Sequence, residues 1–224
     1  MKNDYTHISI ILDRTGSMQC IRDDTIGGFN SFLRDQKSQP GTATITLVQF
    51  DSQDPYEVIH HFKPIQTVQE LGRRTYVPRA STPLLDALGR GINDLEKSIE
   101  EIVDDERPLR IVFVVITDGQ ENASREFRRD QVVKMIREKT DTDKWQFVFL
   151  SADLDAIDDA MSYGFTPDAA LAFQKTTVGT AVAFASLSSK ISDYRTMKKA
   201  KIGFDPEDRK HPEDPAKKSE PWKE

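Results

Sequence analysis

The sequence predicts an α/β sandwich: a mostly parallel central sheet with one antiparallel edge strand, and helices on both faces. Three observations carry this expectation. His7–Asp13, Leu109–Thr117 and Trp145–Leu150 are near-continuous apolar runs, as strands covered on both faces are. They alternate with segments of helical periodicity, the arrangement that makes parallel βαβ units. Ala43–Phe50 and Tyr56–Phe62 are separated only by Asp51-Ser52-Gln53-Asp54-Pro55, too short a link for a parallel crossover, so they form a hairpin with Tyr56–Phe62 at the sheet edge.

Length and composition fit one domain with a tail. The chain has 224 residues, 37% of them hydrophobic and 30% charged, enough for one sizeable core. The net charge of -6 argues against a protein coated in positive charge for wrapping nucleic acid, though not against a local basic patch. A single cysteine, Cys20, rules out an internal disulfide and fits a reducing compartment. No apolar run approaches the roughly 20 residues of a membrane helix, and Met1–His7 lacks the order of a signal peptide, so a cytoplasmic location is expected. Asn122-Ala123-Ser124 matches a glycosylation sequon, which without a secretory signal carries no weight.

The elements follow in order. After the first strand, Gln19 to about Lys37 reads as a helix with Ile21, Ile26, Phe29, Phe32 and Leu33 on its inner stripe; Gly27-Gly28 suggests close approach of helix and sheet. Cys20 is expected to be buried there as a small hydrophobe. Gln39-Pro40-Gly41 is a turn. Ala43–Phe50 is rich in β-branched residues. His60 and His61 lie on the edge strand and, as neighbours, face opposite ways. Leu71–Ser81 is a loop with Arg73, Arg74, Tyr76 and Arg79. Thr82-Pro83 opens a helix, with Thr82 or Ser81 as its N-cap; Leu85, Leu88, Ile92, Leu95, Ile99 and Ile102 make it the clearest amphipathic helix in the chain.

Leu109–Thr117 is the most hydrophobic strand and belongs at the centre. A helix over Glu126–Lys139 follows, then the strand Trp145–Leu150, a short helix marked by Leu154, Ile157 and Met161, a weak strand over Asp168–Phe173, and a helix over Thr177–Tyr194. The domain is expected to span residues 1–195. Residues 196–224, rich in lysine, acids and proline, read as a tail that is disordered or ordered by a partner.

The chemistry concentrates at strand ends. Asp13, Thr15 and Ser17 alternate on the loop after the first strand, so their oxygens can converge. Asp118 ends the central strand and Thr82 begins a helix, and ligands of such sheets bind at the carboxyl ends of strands, near a topological switch point. Hard oxygen donors suit Mg²⁺ and not zinc. Taken singly, each of these residues could also be a helix cap.

Asp13-Arg14-Thr15-Gly16-Ser17, with Thr82 and then Asp118 in Ile116-Thr117-Asp118-Gly119, resembles the metal-ion-dependent adhesion site (MIDAS) of the von Willebrand factor type A (vWA) domain, whose pattern is D-x-[ST]-x-S, then T, then D. The resemblance covers residues 5–195 and all five positions are filled. It implies a Rossmann-like sheet flanked by helices and a bound Mg²⁺ or Mn²⁺, with Ca²⁺ a poorer fit. It also implies a protein partner that supplies an Asp or Glu carboxylate to the ion. Asp13, Thr15, Ser17, Thr82 and Asp118 would then be the metal residues, directly or through water. The function implied is a non-catalytic interaction module, an accessory of an intracellular bacterial or phage assembly in stress response or defence.

The family pattern does not account for Arg14, Arg73, Arg74, Arg79, Arg125, Arg128 and Arg129, which flank the three loops. They suggest a basic rim that steers an acidic partner segment, or else a solvated face paired with Glu121, Glu126 and Asp130. Two rival functions remain open. A metal-dependent phosphatase of the aspartyl-phosphate type would want an acid two residues after Asp13, where Thr15 stands. No Gly-x-x-x-x-Gly-Lys-Ser/Thr loop occurs, and none of the four histidines is placed as a base for this loop. The Arg-rich rim could also bind nucleic acid, with strong salt dependence.

Overall fold

The computed structural model describes residues 4–152 and 156–210. The elements run β1 (Thr6–Asp13), a 3₁₀ turn (Gly16–Ile21), α1 (Arg22–Ser38), β2 (Ala43–Phe50), β3 (Glu57–Pro64), α2 (Leu84–Glu100), β4 (Arg110–Thr117), α3 (Arg129–Asp141), β5 (Gln146–Ser151), α4 (Ala156–Ser162), β6 (Ala170–Ala172) and α5 (Thr177–Arg195). The sheet order is β3-β2-β1-β4-β5-β6. Every pairing is parallel except β2 with β3, so the antiparallel strand is the edge that the short link required.

β1 is buried at every position because it is covered on both sides, and its centre, Ile8–Leu12, is apolar apart from Ser9. Ile8, Ile10 and Leu12 face α1 and α5, together with Phe32, Phe184 and Leu187; Ile11 faces the opposite layer, where α2, α3 and α4 contribute Leu88, Ile136 and Ala160. The chain order runs outward from β1 in one direction and from β4 in the other. That reversal opens a crevice at the carboxyl ends of the two central strands, and Asp13 and Asp118 both emerge there.

Several details differ from the sequence expectation. The first helix is two pieces, a 3₁₀ turn and then α1. Gly28 does allow a close approach, but to a helix rather than the sheet: a Cβ there would stand 2.3 Å from the Phe184 ring of α5. α3 starts at Arg129 because the Asp86 carboxylate accepts the backbone N–H groups of Arg125, Glu126 and Phe127 at 2.8–2.9 Å and holds them outside the helix. Phe127 packs instead against Gly89 of α2. Cys20 is exposed, its Sγ donating to the Ser17 carbonyl, because the 3₁₀ turn faces Met18 and Ile21 inward instead.

The chain beyond residue 195 keeps contact with the layers before it. Ile202 and Phe204 are buried in the α1/α5 core layer. The Ile202 N–H donates to Gln146 and the Phe204 N–H to the Asp168 carbonyl, while Lys190 pairs with Asp205 and Asp208. Residues 202–208 thus pack on this layer through two apolar anchors and an ion pair, which their polar composition hides. Leu154 of the expected short helix, and the tail from residue 211 onward, lie outside the described residues. Among the described residues, no helix is long and apolar enough to cross a membrane.

Candidate metal centre

Asp13 is the last residue of β1, and its carboxylate is fully buried at the head of the crevice. Its two oxygens are held from two sides: the Thr15 backbone N–H donates to Oδ1 at 2.6 Å and Thr117 Oγ1 donates to Oδ2 at 2.6 Å. Thr117 is the last residue of β4, so the two central strands fix this acid between them. Burial pushes the Asp13 carboxyl up to about 7, outweighing the hydrogen bonds that favour its charged form, with the Asp118 charge adding to the rise. A cation at this point would offset that penalty.

The other residues gather around it. Ser17 Oγ donates to Asp118 Oδ1 at 2.5 Å and lies 3.2 Å from Thr15 Oγ1. Gly119 has no side chain, and a Cβ on it would stand 3.4 Å from Ser17 Oγ and 3.5 Å from Thr82 Oγ1. Hydroxyls from two separate loops therefore face one space beside the Gly119 backbone. Asp118 Oδ2 is buried and accepts no hydrogen bond; the Lys175 ammonium lies 3.2 Å from it, in contact but without hydrogen-bond geometry.

Thr82 does not cap α2. The N-cap position is Pro83, without a side-chain bond. The first turn is capped from outside: the Leu85 N–H donates to Glu121 Oε2 and the Asp86 N–H to Ser124 Oγ. Asn122 Oδ1 accepts the Thr82 N–H. The loop after β4 thus does the capping, and the Thr82 hydroxyl is left facing the crevice. Ser17 likewise bonds across to Asp118 rather than to a helix end.

The loop before α2 is pinned to β1 by backbone. The Gly16 N–H donates to the Ala80 carbonyl at 3.0 Å, the Arg79 N–H to the Arg14 carbonyl at 2.8 Å, and the buried Tyr76 hydroxyl to the Asp13 carbonyl at 2.6 Å. Ala80 adopts φ +60°, a left-handed conformation that a non-glycine residue holds only when its surroundings impose it.

The arginines separate into two groups. Arg14 is not on the rim. It is buried and its Nε donates to Asp51 at 2.6 Å, with Glu57 as a further partner. Alternation along the chain turns it away from Asp13 and under β2, where Asp51 is fully buried. Asp51 also receives Arg79 at 2.9 Å. Arg73 is exposed and paired with Asp23, Arg128 with Asp130, and Arg129 lies over the Tyr163 ring. Glu126 pairs with Arg90 rather than with a rim arginine, and Glu121 is consumed in capping. Arg125 is exposed beside Asn122 and Ser124 in a surface cleft of about 570 Å³ that also includes Ser81 and Pro83.

Sequence reasoning missed Thr117, Asp86, Glu121, Asn122, Asp51 and Lys175. Thr117 immediately precedes Asp118, and a hydroxyl at that strand end was a usable signal. The others act across long sequence separations that no local pattern reports.

The donor set is two carboxylates and three hydroxyls. Among the described residues no group of three or more His, Cys, Asp or Glu side chains is placed to hold a metal together, and the oxygens gathered here come mostly from hydroxyls. A hard divalent cation that takes oxygen ligands fits the orphaned Asp118 oxygen, the buried Asp13 and the space beside Gly119.

No family model and no curated protein matches the sequence. Solved structures share its fold. The pilus adhesin SpaC of Lactobacillus rhamnosus GG, in its open conformation, superposes with a TM-score of 0.63 at 11% identity, over 86% of this chain and 30% of that one. A von Willebrand factor type A structure from Catenulispora acidiphila gives 0.53 at 12%, over 83% and 42%. Proximal thread matrix protein 1 of the mussel byssus, with zinc in its MIDAS motif, gives 0.53 at 15%, over 87% and 46%. The chain thus spans less than half the length of each. The fold is that of vWA domains.

Proposed function

We propose that this protein is a metal-dependent, non-catalytic interaction module. In this reading Asp13, Thr15, Ser17, Thr82 and Asp118 hold one Mg²⁺, for which Mn²⁺ can substitute, and a protein partner docks an Asp or Glu carboxylate on it. The observation that carries the reading is the space beside Gly119, faced by the Ser17 and Thr82 hydroxyls and next to an Asp118 oxygen that accepts no hydrogen bond. The mussel protein of the same fold holds a divalent ion in its own MIDAS motif, which supports a cation of that kind.

The chemistry favours binding over turnover. When bound, the ion supplies a Lewis-acidic point for a carboxylate. Neutral hydroxyls in three of the five positions leave much of its charge unquenched, and Mg²⁺ keeps exchangeable water positions. The chain's own residues do the positioning: Thr117 and the Thr15 N–H orient Asp13, Ser17 orients Asp118, and Glu121 with Ser124 caps α2 so that Thr82 stays free. Thr15 stands where a phosphatase of the aspartyl-phosphate type would need an acid.

Arg74 and Arg125, together with the exposed but paired Arg73 and Arg79, form the rim that steers the acidic segment; Arg14 does not take part. The exposed Cys20 thiol suits a reducing, cytoplasmic setting, and an accessory role in a bacterial or phage stress or defence assembly is the context we favour. The test is an affinity capture from the native host with wild type and Asp13→Ala, each with Mg²⁺ and with chelator. A partner retained only by wild type with metal is expected. Equal capture in all four arms would overturn the reading, as would Mg²⁺-dependent phosphatase turnover abolished by Asp13→Ala.

A further inference from the structure

Lys175 has no part in the binding scheme above. It sits in the connection between β6 and α5, and its ammonium lies 3.2 Å from Asp118 Oδ2. That oxygen is buried, accepts no hydrogen bond, and belongs to an acid whose other oxygen takes the Ser17 hydroxyl. Among the described residues no other cation pairs with Asp118: Arg14 and Arg79 are drawn to Asp51, and Arg73 to Asp23.

The fold delivers Lys175 to this place. On one side of it the Thr176 hydroxyl caps α5, accepting the Gly179 N–H at 3.0 Å. On the other, the Gln174 carbonyl accepts the Thr176 N–H at 2.7 Å and packs so tightly under α5 that a Cβ on Gly179 would stand 2.4 Å from it. The Lys175 backbone is clamped between these contacts, while its side chain stays partly in solvent and can leave the acid without disturbing the core.

We propose that Lys175 is a tethered cation that competes with the divalent ion for Asp118. The inference rests on the metal reading above. A divalent ion taken up at Asp118 lies close enough to the ammonium for like charges to repel, so filling the site drives Lys175 off the carboxylate. By reciprocity, Lys175 weakens the ion's hold by the same factor. The displaced ammonium remains on the rim, where an acidic partner can meet it. Lys175 is therefore a residue that sets metal affinity without being a ligand.

Calorimetric titration of the full chain with Mn²⁺ tests this on wild type, Lys175→Met, Lys175→Arg and Asp13→Ala. Lys175→Met keeps most of the stem and removes the charge. It is expected to bind about tenfold more tightly, the size of effect a neighbouring charge has on a carboxylate's proton affinity. Lys175→Arg is expected to stay within about threefold of wild type because it keeps the charge. Unchanged or weaker affinity in Lys175→Met, with wild type binding Mn²⁺, overturns the competition and leaves the metal reading standing. An affinity gain as large in Lys175→Arg overturns it too. No binding by wild type or Lys175→Met overturns both readings, whereas binding by Lys175→Met alone supports both.

Discussion

Thr117 Oγ1 donates a 2.6 Å hydrogen bond to Asp13 Oδ2, joining the ends of β4 and β1 through the acid at the head of the crevice. Outer partners of this kind orient metal-binding groups, and their loss typically weakens affinity by about 10–100-fold. Thr117→Val keeps the β-branched shape and removes the donor. It is expected to retain the fold, by circular dichroism, and to bind Mn²⁺ at least about tenfold more weakly in titration. Unchanged affinity would show that Asp13 is positioned without Thr117.

Gly119 gives a sharper dissociation of fold from site. Its φ does not require glycine, and a Cβ would make only ordinary contacts with Ser17 Oγ and Thr82 Oγ1, at 3.4 and 3.5 Å. Gly119→Ala is therefore expected to leave unfolding free energy within about 0.5 kcal/mol of wild type. The methyl group takes up part of the space the two hydroxyls share, and a loss of about tenfold in Mn²⁺ affinity is expected, comparable to the loss of an outer-sphere partner. Urea unfolding of the metal-free protein and calorimetry, run side by side, separate the two effects.

Arg14 and Arg73 look alike in sequence and should behave oppositely. Arg14 is buried against the fully buried Asp51, so removing it leaves a charge with only Arg79, itself partly solvated, to answer it. Loss of one member of a buried pair costs about 3–5 kcal/mol, and Arg14→Met is expected near the lower end because Arg79 remains. Arg73 pairs with Asp23 in solvent, and Arg73→Glu is expected to leave the denaturation midpoint where it is. In the captured complex the order reverses: Arg73→Glu slows association at low salt, whereas Arg14→Met leaves the association rate of the folded fraction unchanged.

The layered sheet was legible because its strands are long apolar runs and its hairpin link is too short for anything else. The five residues of the proposed site stood out because they sit at strand and helix ends in one ordered pattern, and the fold brings their loops to one rim. The fate of the arginines was not legible. Arg14 differs from Arg73 in which side of the chain it leaves and in meeting the buried Asp51 at the end of the neighbouring β2, a contact set by strand pairing and not by local sequence. The capping of α2 by Glu121 and Ser124 was hidden for the same reason: Thr82-Pro83 satisfies every local rule for a cap, and a long-range acceptor supersedes it. Cys20 was misplaced because a 3₁₀ turn, with its shorter repeat, rotates residues relative to the α-helical stripe that places Ile21 inward.

His7 makes the fold sensitive to mild acid. It is fully buried at the start of β1, stacked on Phe62 at 3.7 Å, with Nδ1 2.8 Å from Thr44 Oγ1. Burial lowers its pKa to about 3, with the nearby His61 adding to the drop. The unfolded chain takes up this proton near 6.5 and the folded one does not until about 3. Stability from this group is therefore full above pH 6.5 and falls as pH drops toward 3, by about 1.4 kcal/mol per pH unit. Urea unfolding at pH 7 and pH 5 is expected to differ by about 2 kcal/mol on this account. His7→Phe keeps the stacking and should remove that part of the slope; an unaltered slope in the variant would assign the acid sensitivity elsewhere.

The segment after α5 tests where the domain ends. Ile202 and Phe204 are buried beside Tyr194 and Phe173, and a chain stopped at residue 195 would uncover that surface. Burial of one such side chain is worth about 1.5–3 kcal/mol, and ordering the segment costs part of the sum. A chain of residues 1–195 is expected to be less stable than one of residues 1–210 by about 2–3 kcal/mol. Ile202→Ala together with Phe204→Ala in the longer chain should reproduce most of that loss. Equal denaturation midpoints for the two truncations would keep the boundary at residue 195 and reduce residues 197–210 to a surface strap without structural weight.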